Sequence, residues 1–444
     1  MNIWYDRGTF YHMYPLGMTG APGSNPESGI THRFKELNQW IPHLVSLNCN
    51  AVYIGPLFES STHGYDTIDY RLIDRRLGDH DDFRHFVCQC HDAGIRVIVD
   101  GVFNHTGRDF FAFADLRKQN GNSPYRDWYK GINFDCGSPL GDTFSYEAWQ
   151  GHYELPCLNL HNADVRQYLL DSVRFWIDEF GIDGIRLDCA NVLDFSFMKE
   201  LRSFTDQIKE DFWLMGEVIH GDYSRWVNPQ TLHSVTNYEL HKSLYSGLND
   251  HNFFEIAHNV RRLEAIGIYL YTFLDNHDEN RIASKLTNQA HLPLAYLLLF
   301  TLPGIPSVYY GSEWGLKGIR SNTSDDELRP AIPAAQIPER ATALTAYIAG
   351  LANIHQSYPE FHGGRYQELA LTNRQYAYAR HAAGSAMVIA ANNDDGEATI
   401  TIPLPFHTTA ALNVSDGSIL PVTGPALAVT LPGNSGIILQ IKEE

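Results

Sequence analysis

Residues 181–190 read GIDGIRLDCA. A glycine-bounded turn leads into a short run whose side chains would alternate between two faces, as in a β-strand. Ile185 and Leu187 then share one face, and Arg186 and Asp188 the other. Opposite charges on an otherwise apolar strand are costly to bury unless they pair or work together. A structural ion pair and a functional one both fit this pattern, so the surroundings must decide.

Seven further runs share its character: TFYHMYPLGM, AVYIGPLF, IRVIVDGVF, FWLMGEV, SVTNYEL, YLYTFLDNH and PSVYYGSE. Amphipathic segments such as DDFRHFVCQCHDAG, VRQYLLDSVRFWIDEFG and MKELRSFTDQIKED separate them. Alternating strands and helices predict βα units around a parallel sheet, and eight strands are the number that closes a barrel. Residues 105–162, rich in Gly, Asn, Asp and aromatics, show no long helical period and follow the third strand. A loop that long inside a compact domain is usually functional or a small domain of its own. After about residue 360, short β patterns such as AMVIAANN and ATITIPLP alternate with NNDDGE and NVSDGS. The expected architecture is an α/β fold: a (β/α)8 TIM barrel over residues 1–104 and 163–360, an inserted domain over 105–162, and a C-terminal antiparallel β-sandwich over 361–444.

The chain of 444 residues has 44% hydrophobic and 12% aromatic residues, enough for large cores, and a formal charge of −19 without a basic block. Nucleic acid and anionic membranes are therefore not expected partners. No stretch approaches the roughly 18 apolar residues of a membrane span, and the N-terminal residues lack a secretory pattern. Cys49, Cys88, Cys90, Cys136, Cys157 and Cys189 match neither a zinc site nor a disulfide scaffold. A cytoplasmic protein with reduced thiols is expected.

Chemistry in such a barrel belongs at the C-terminal ends of the strands. Here they run into HGYDTIDY, DGVFNH, IRLDCAN, MGEVIH, FLDNHD and YYGSE. Asp188, Glu217 and Asp278 stand out among these endings. Hydrolysis of a glycosidic bond with retention needs two carboxyl groups about 5–5.5 Å apart, one as nucleophile and one as acid then base. Their tuning must be opposite. Arg186 is expected to keep Asp188 ionised, and the apolar run before Glu217 to raise the pKa of that residue.

The motifs DGVFNH, GIRLDCA, MGEV and FLDNHD, in that order, resemble those of the α-amylase family of glycoside hydrolases (family 13). The resemblance implies Asp188 as nucleophile, Glu217 as acid/base and Asp278 as a third carboxylate gripping sugar hydroxyls. It implies His105 and His277 as hydrogen-bonding partners of the sugar, with Arg186 beside the nucleophile and Tyr65 as the aromatic platform. Asp100 and Asn104 read as structural, with Asn104 an open candidate for a calcium ligand. YYGSE with Glu313 resembles the family's motif on the eighth strand. His152, His161 and His220 read as surface or rim residues.

LPCLNLHNADVRQYL, LDCAN and MGEVIHGD are similar to segments of the cyclomaltodextrinase, neopullulanase and maltogenic amylase group. The chain departs from that group in two ways. Its first barrel strand is expected by about Thr9, with no extra β domain ahead of it, and Val192 stands where those enzymes commonly carry a glutamate. The implied activity is retaining hydrolysis of α-1,4 bonds in cyclodextrins and maltooligosaccharides, through a covalent glycosyl-Asp188 intermediate. Specialisation for cyclic or branched α-1,6-containing maltosaccharides, 4-α-glucan transfer, and an inactive sugar-binding barrel remain alternatives. No cofactor is expected for the chemistry; a structural calcium and a homodimer stay open.

Overall fold

The computed structural model describes residues 3–26, 29–321 and 324–444. Eight strands form one parallel sheet: β1 (Phe10–Met13), β2 (Ala51–Ile54), β3 (Arg96–Gly101), β4 (Gly184–Leu187), β5 (Trp213–Gly216), β6 (Ser234–Val235), β7 (Tyr271–Phe273) and β8 (Ile305–Tyr309). Their spatial order is β6-β5-β4-β3-β2-β1-β8-β7. The two ends meet where Thr236 bridges Tyr271 and the Asn237 N–H donates to the Tyr271 carbonyl at 2.8 Å. The ladder therefore runs into its own edge as a closed cylinder, the expected barrel.

The inside is filled by one side-chain parity. Phe10, Tyr53, Ile98, Trp213, Met215, Phe273 and Ile305 pack together within it, while Ile185 and Leu187 face the helices outside. The helix Ala163–Phe180 shows how sequence sets an outer element. Asn162 caps its start by accepting from the Asp164 and Val165 N–H groups, and Gly181 ends it at φ +74°, a backbone region that suits glycine. Val165, Leu169, Val173, Trp176, Ile177 and Phe180 form its buried stripe, and Trp176 stacks on Phe58 at 4.2 Å.

Two local expectations differ from the structure. SVTNYEL is strand only at Ser234–Val235. Its remainder starts the helix Tyr238–Asn249, because the Asn237 side chain accepts from the Leu240 N–H and caps it. The long insertion after β3 holds a helix, Phe111–Gln119, although its sequence shows no long helical period. Nine residues are too few for a clear repeat; Ala112, Phe113 and Leu116 nevertheless bury one face of it.

The C-terminal region is antiparallel. Strands Arg365–Leu371, Gln375–Ala382, Ser385–Asn392, Ser435–Lys442, Ala410–Asn413 and Ile419–Pro421 form one sheet, and Ala398–Pro403 pairs with Ala426–Leu431 in another. Val388, Ile400, Ile402, Val429 and Leu439 fill the space between them. The six-stranded sheet is tied to the barrel where Tyr378 meets Thr301 Oγ1 at 2.6 Å and Arg380 donates to the Thr301 carbonyl at 3.2 Å.

Candidate active site

Arg186 projects into the barrel from β4 and is buried. Its Nη1 donates to Asp100 Oδ1 and to Asp188 Oδ1, both at 2.8 Å, and its Nη2 lies 2.9 Å from Glu217 Oε2. Register explains this convergence: Asp100 on β3 and Met215 on β5 flank Arg186, so Asp188 and Glu217, just past their strands, reach the same rim. The backbone at Gly216 runs close to Ala190, where an added Cβ would lie 2.7 Å from the Ala190 Cβ. Burial works against the charge of Arg186, but Asp100 and Glu217 hold its pKa well above the usual arginine value.

Asp188 and Glu217 face each other. One carboxylate oxygen of each, together with the Cys189 sulfur, lie within 4.8 Å of one another. Asp188 Oδ2 is 3.0 Å from Cys189 Sγ, while Glu217 accepts from the Cys189 N–H at 3.1 Å and from the Tyr238 hydroxyl at 3.3 Å. One guanidinium thus serves three carboxylates. Arg186 acts on Asp188 in the expected direction, but not alone. Burial raises the Asp188 pKa; Arg186 lowers it, but Glu217 and Asp100 raise it again, to about 7. Asp188 is thus held well above the usual carboxylate range.

Asp278 lies past β7 and lines the same cleft, whose volume is about 550 Å³. Although burial opposes its charge, His277, Arg329 and Arg186 hold its carboxyl far below the usual range. His277 Nε2 is 3.0 Å from Asp278 Oδ2, and Arg329 Nη2 donates to Asp278 Oδ1 at 2.9 Å. Tyr65, in the turn between the paired strands Phe58–Ser60 and Thr67–Ile73, stacks on His277 at 5.5 Å and bonds both His277 and Asp100. His105 stacks on Trp149 at 6.0 Å, and burial lowers its pKa to about 3. It is a neutral imidazole here. All seven residues singled out as candidates, Tyr65, His105, Arg186, Asp188, Glu217, His277 and Asp278, belong to this assembly.

The remaining residues lie as follows. Glu313 is fully buried away from the cleft, accepting from the Tyr11 hydroxyl and from His43, each at 2.8 Å. His152 lines the cleft, while His161 and His220 are exposed. The Asn104 amide nitrogen is directed at His105 Nδ1 and Cys157 Sγ. Calcium is bound through oxygen ligands, and no step below is routed through it. Arg329, Trp149 and Tyr238 were not legible as site residues. Arg329 sits in an irregular segment near β8, where no strand ending marks it. All six cysteines are free, and among the described residues no helix is long and apolar enough to cross a membrane.

Comparison with known proteins gives this geometry a context. Residues 29–343 match the family model described as Alpha amylase, catalytic domain. A cyclomaltodextrinase from Thermoanaerobacter pseudethanolicus is 32% identical over 372 residues, 81% of this chain and 63% of the relative's own length. The chain thus spans less than two thirds of that relative. A solved cyclomaltodextrinase superimposes with a TM-score of 0.88 at 27% identity, over 99% of this chain and 78% of the other. The ligand-free cyclic alpha-maltosyl-(1→6)-maltose hydrolase from Arthrobacter globiformis superimposes with a TM-score of 0.84 at 26% identity, over 99% of both chains. Matched by the catalytic-domain model over most of its length, the chain belongs to the α-amylase family.

Proposed function

We propose that this chain is a retaining α-glucan hydrolase acting on α-1,4 bonds of cyclodextrins and maltooligosaccharides. One observation carries the reading: carboxylate oxygens of Asp188 and Glu217 lie within 4.8 Å of each other, around one shared arginine. Such closeness suits a nucleophile and an acid/base, for which about 5–5.5 Å is usual, rather than the wider separation of an inverting pair.

In this mechanism Glu217 is the proton donor, and the leaving oxygen is the acceptor. Asp188, ionised against Arg186, attacks the anomeric carbon as Glu217 protonates the departing oxygen. The C–O bond breaks, and a glycosyl ester to Asp188 remains. Glu217, now a carboxylate, takes a proton from water as its oxygen attacks the same carbon, which frees Asp188. Asp278, fixed by His277 and Arg329, accepts hydrogen bonds from hydroxyls of the ring being cleaved. Tyr65 lies beneath that ring, and His105 and His277 bond its hydroxyls. Residues 1–104 and 163–360 act as the catalytic barrel, 105–162 as a domain walling the cleft, and 361–444 as a supporting sandwich. Six free thiols suit a reducing, cytoplasmic setting.

A second reading has a specific observation behind it. The Arthrobacter enzyme, a cyclic alpha-maltosyl-(1→6)-maltose hydrolase, superimposes over 99% of both chains. That favours cyclic or branched saccharides containing α-1,6 bonds as substrates at the same site. Product chromatography on β-cyclodextrin, maltoheptaose, pullulan and cyclic maltosyl-maltose separates these readings. Shorter products from the first two support α-1,4 hydrolysis. Turnover confined to the last two favours the second reading, and longer products signal 4-α-glucan transfer. In Glu217→Gln, turnover is expected to fall about 10²–10⁴-fold; full activity in that variant overturns the assignment.

A further inference from the structure

We propose that Cys189 is a positioning residue for the catalytic pair, its backbone N–H holding Glu217 and its thiol S–H donating to the outer oxygen of Asp188. The proposal rests on the functional reading above and adds a residue to it.

The backbone makes the first half of the case. Cys189 adopts φ +50° and ψ +38°, a left-handed conformation for a residue with a Cβ. Such conformations cost about 1–3 kcal/mol and persist where the surroundings impose them. Here the bend turns the Cys189 N–H toward Glu217 Oε2, at 3.1 Å. It also starts the short turn Ala190–Val192, whose Ala190 carbonyl accepts from Trp226 Nε1 at 3.2 Å.

The side chain makes the second half. Arg186 occupies Asp188 Oδ1, which leaves Oδ2 for another donor, and the thiol stands 3.0 Å from it. Burial, reinforced by Asp188 and Glu217, keeps the thiol protonated far beyond its ordinary range. It therefore serves as a neutral donor rather than a nucleophile. Asp188 is faced by Asp100 from β3, by Arg186 on its own strand and by Glu217 beyond β5, and it interacts with the buried phenol of Tyr70. Arg186 supplies the cationic donation, and it is divided among three carboxylates. A donor on Oδ2 favours the ionised nucleophile, which matters most where the guanidinium is shared.

The test compares pH profiles of kcat/KM for the intact enzyme, Cys189→Ala and Cys189→Ser. All three carry a side chain at the same left-handed position, so the backbone cost cancels. In Cys189→Ala the acidic limb is expected to move up by about 0.5–1 pH unit, with activity on that limb down about three- to tenfold. Cys189→Ser keeps a donor and keeps the limb in place. A Cys189→Ala limb superimposable on the intact enzyme's, whatever the change in thermal stability, overturns the proposal. Should Cys189→Ala not fold, the infrared S–H stretching band of the intact enzyme reads the same contact. The band carried by Cys189 is expected to shift as Asp188 titrates, and a band that stays fixed across that range overturns the proposal. Glu217→Gln, assayed in parallel, separates the two failures. Undiminished turnover there removes the underlying reading. A dead Glu217→Gln beside an unmoved Cys189→Ala limb removes the cysteine alone.

Discussion

Asp183 and Asp188 stand at opposite ends of β4, and their surroundings could hardly differ more. Asp183, at the N-terminal end, is buried and surrounded by donors: His91 at 2.7 Å, Arg96 and Lys209 at 2.9 Å, and the Val97 N–H at 2.9 Å. Burial opposes its charge, yet His91 and Lys209 with the Val97 amide hold its carboxyl far below the usual range. Asp188, at the C-terminal end, shares one arginine with two other carboxylates and is pushed up to about 7. One aspartate has more positive partners than it needs, and the other has too few. The first arrangement favours the charged carboxylate at the foot of the strand; the second raises the proton affinity of a carboxyl where chemistry is proposed. The division matches the general one between the two faces of such barrels.

Exchanging each aspartate for asparagine tests that contrast most sharply. Asp188→Asn is expected to lower kcat/KM by roughly 10⁴-fold or more, with circular dichroism unchanged. Asp183→Asn should leave turnover within about threefold while costing about 2–3 kcal/mol in urea unfolding. An inactive but fully stable Asp183→Asn would break the comparison. Arg329→Ala comes next. It removes a charged donor from Asp278 and from the His277 carbonyl, and should lower kcat/KM about 10–100-fold.

The pH dependence of stability gives smaller effects of opposite sign. A carboxylate depressed in the folded state, like Asp183, stabilises above its unfolded pKa of about 4. That contribution fades as pH falls below 4, so the stability deficit of Asp183→Asn should shrink in acid. A carboxyl raised to about 7, like Asp188, makes the folded state bind the extra proton between about pH 4 and 7. Stability is then lost as pH rises through that window. Asp188→Asn should accordingly melt about 1–3 °C above the intact protein at pH 8, the gap closing toward pH 4. A gap of the same size at both pH values would mean that the raised pKa is not its source.

How legible all this was depends on how local the cause is. The eight strands and their polar endings could be read because alternation and the stop of an apolar run lie within a few adjacent residues, as at Ile185, Arg186, Leu187 and Asp188. The helix from Tyr238 was misread as strand because Asn237, a single capping residue, outweighs the β-branched run before it. Glu313 looked like a rim residue by its place in the chain, yet its side chain turns outward to Tyr11 and His43.

By itself the sequence determined a closed parallel barrel, a long insertion after its third strand, an antiparallel C-terminal region and the residues that gather at one rim. It could do so because side-chain parity and strand endings are properties of a short stretch of chain. The tertiary structure alone decided that Asp100, Asp188 and Glu217 compete for one guanidinium, that Arg329 braces Asp278, and that the Cys189 backbone bends toward Glu217. Proton affinity follows from burial and from the charges brought near, and those charges come from strands that only barrel closure sets side by side.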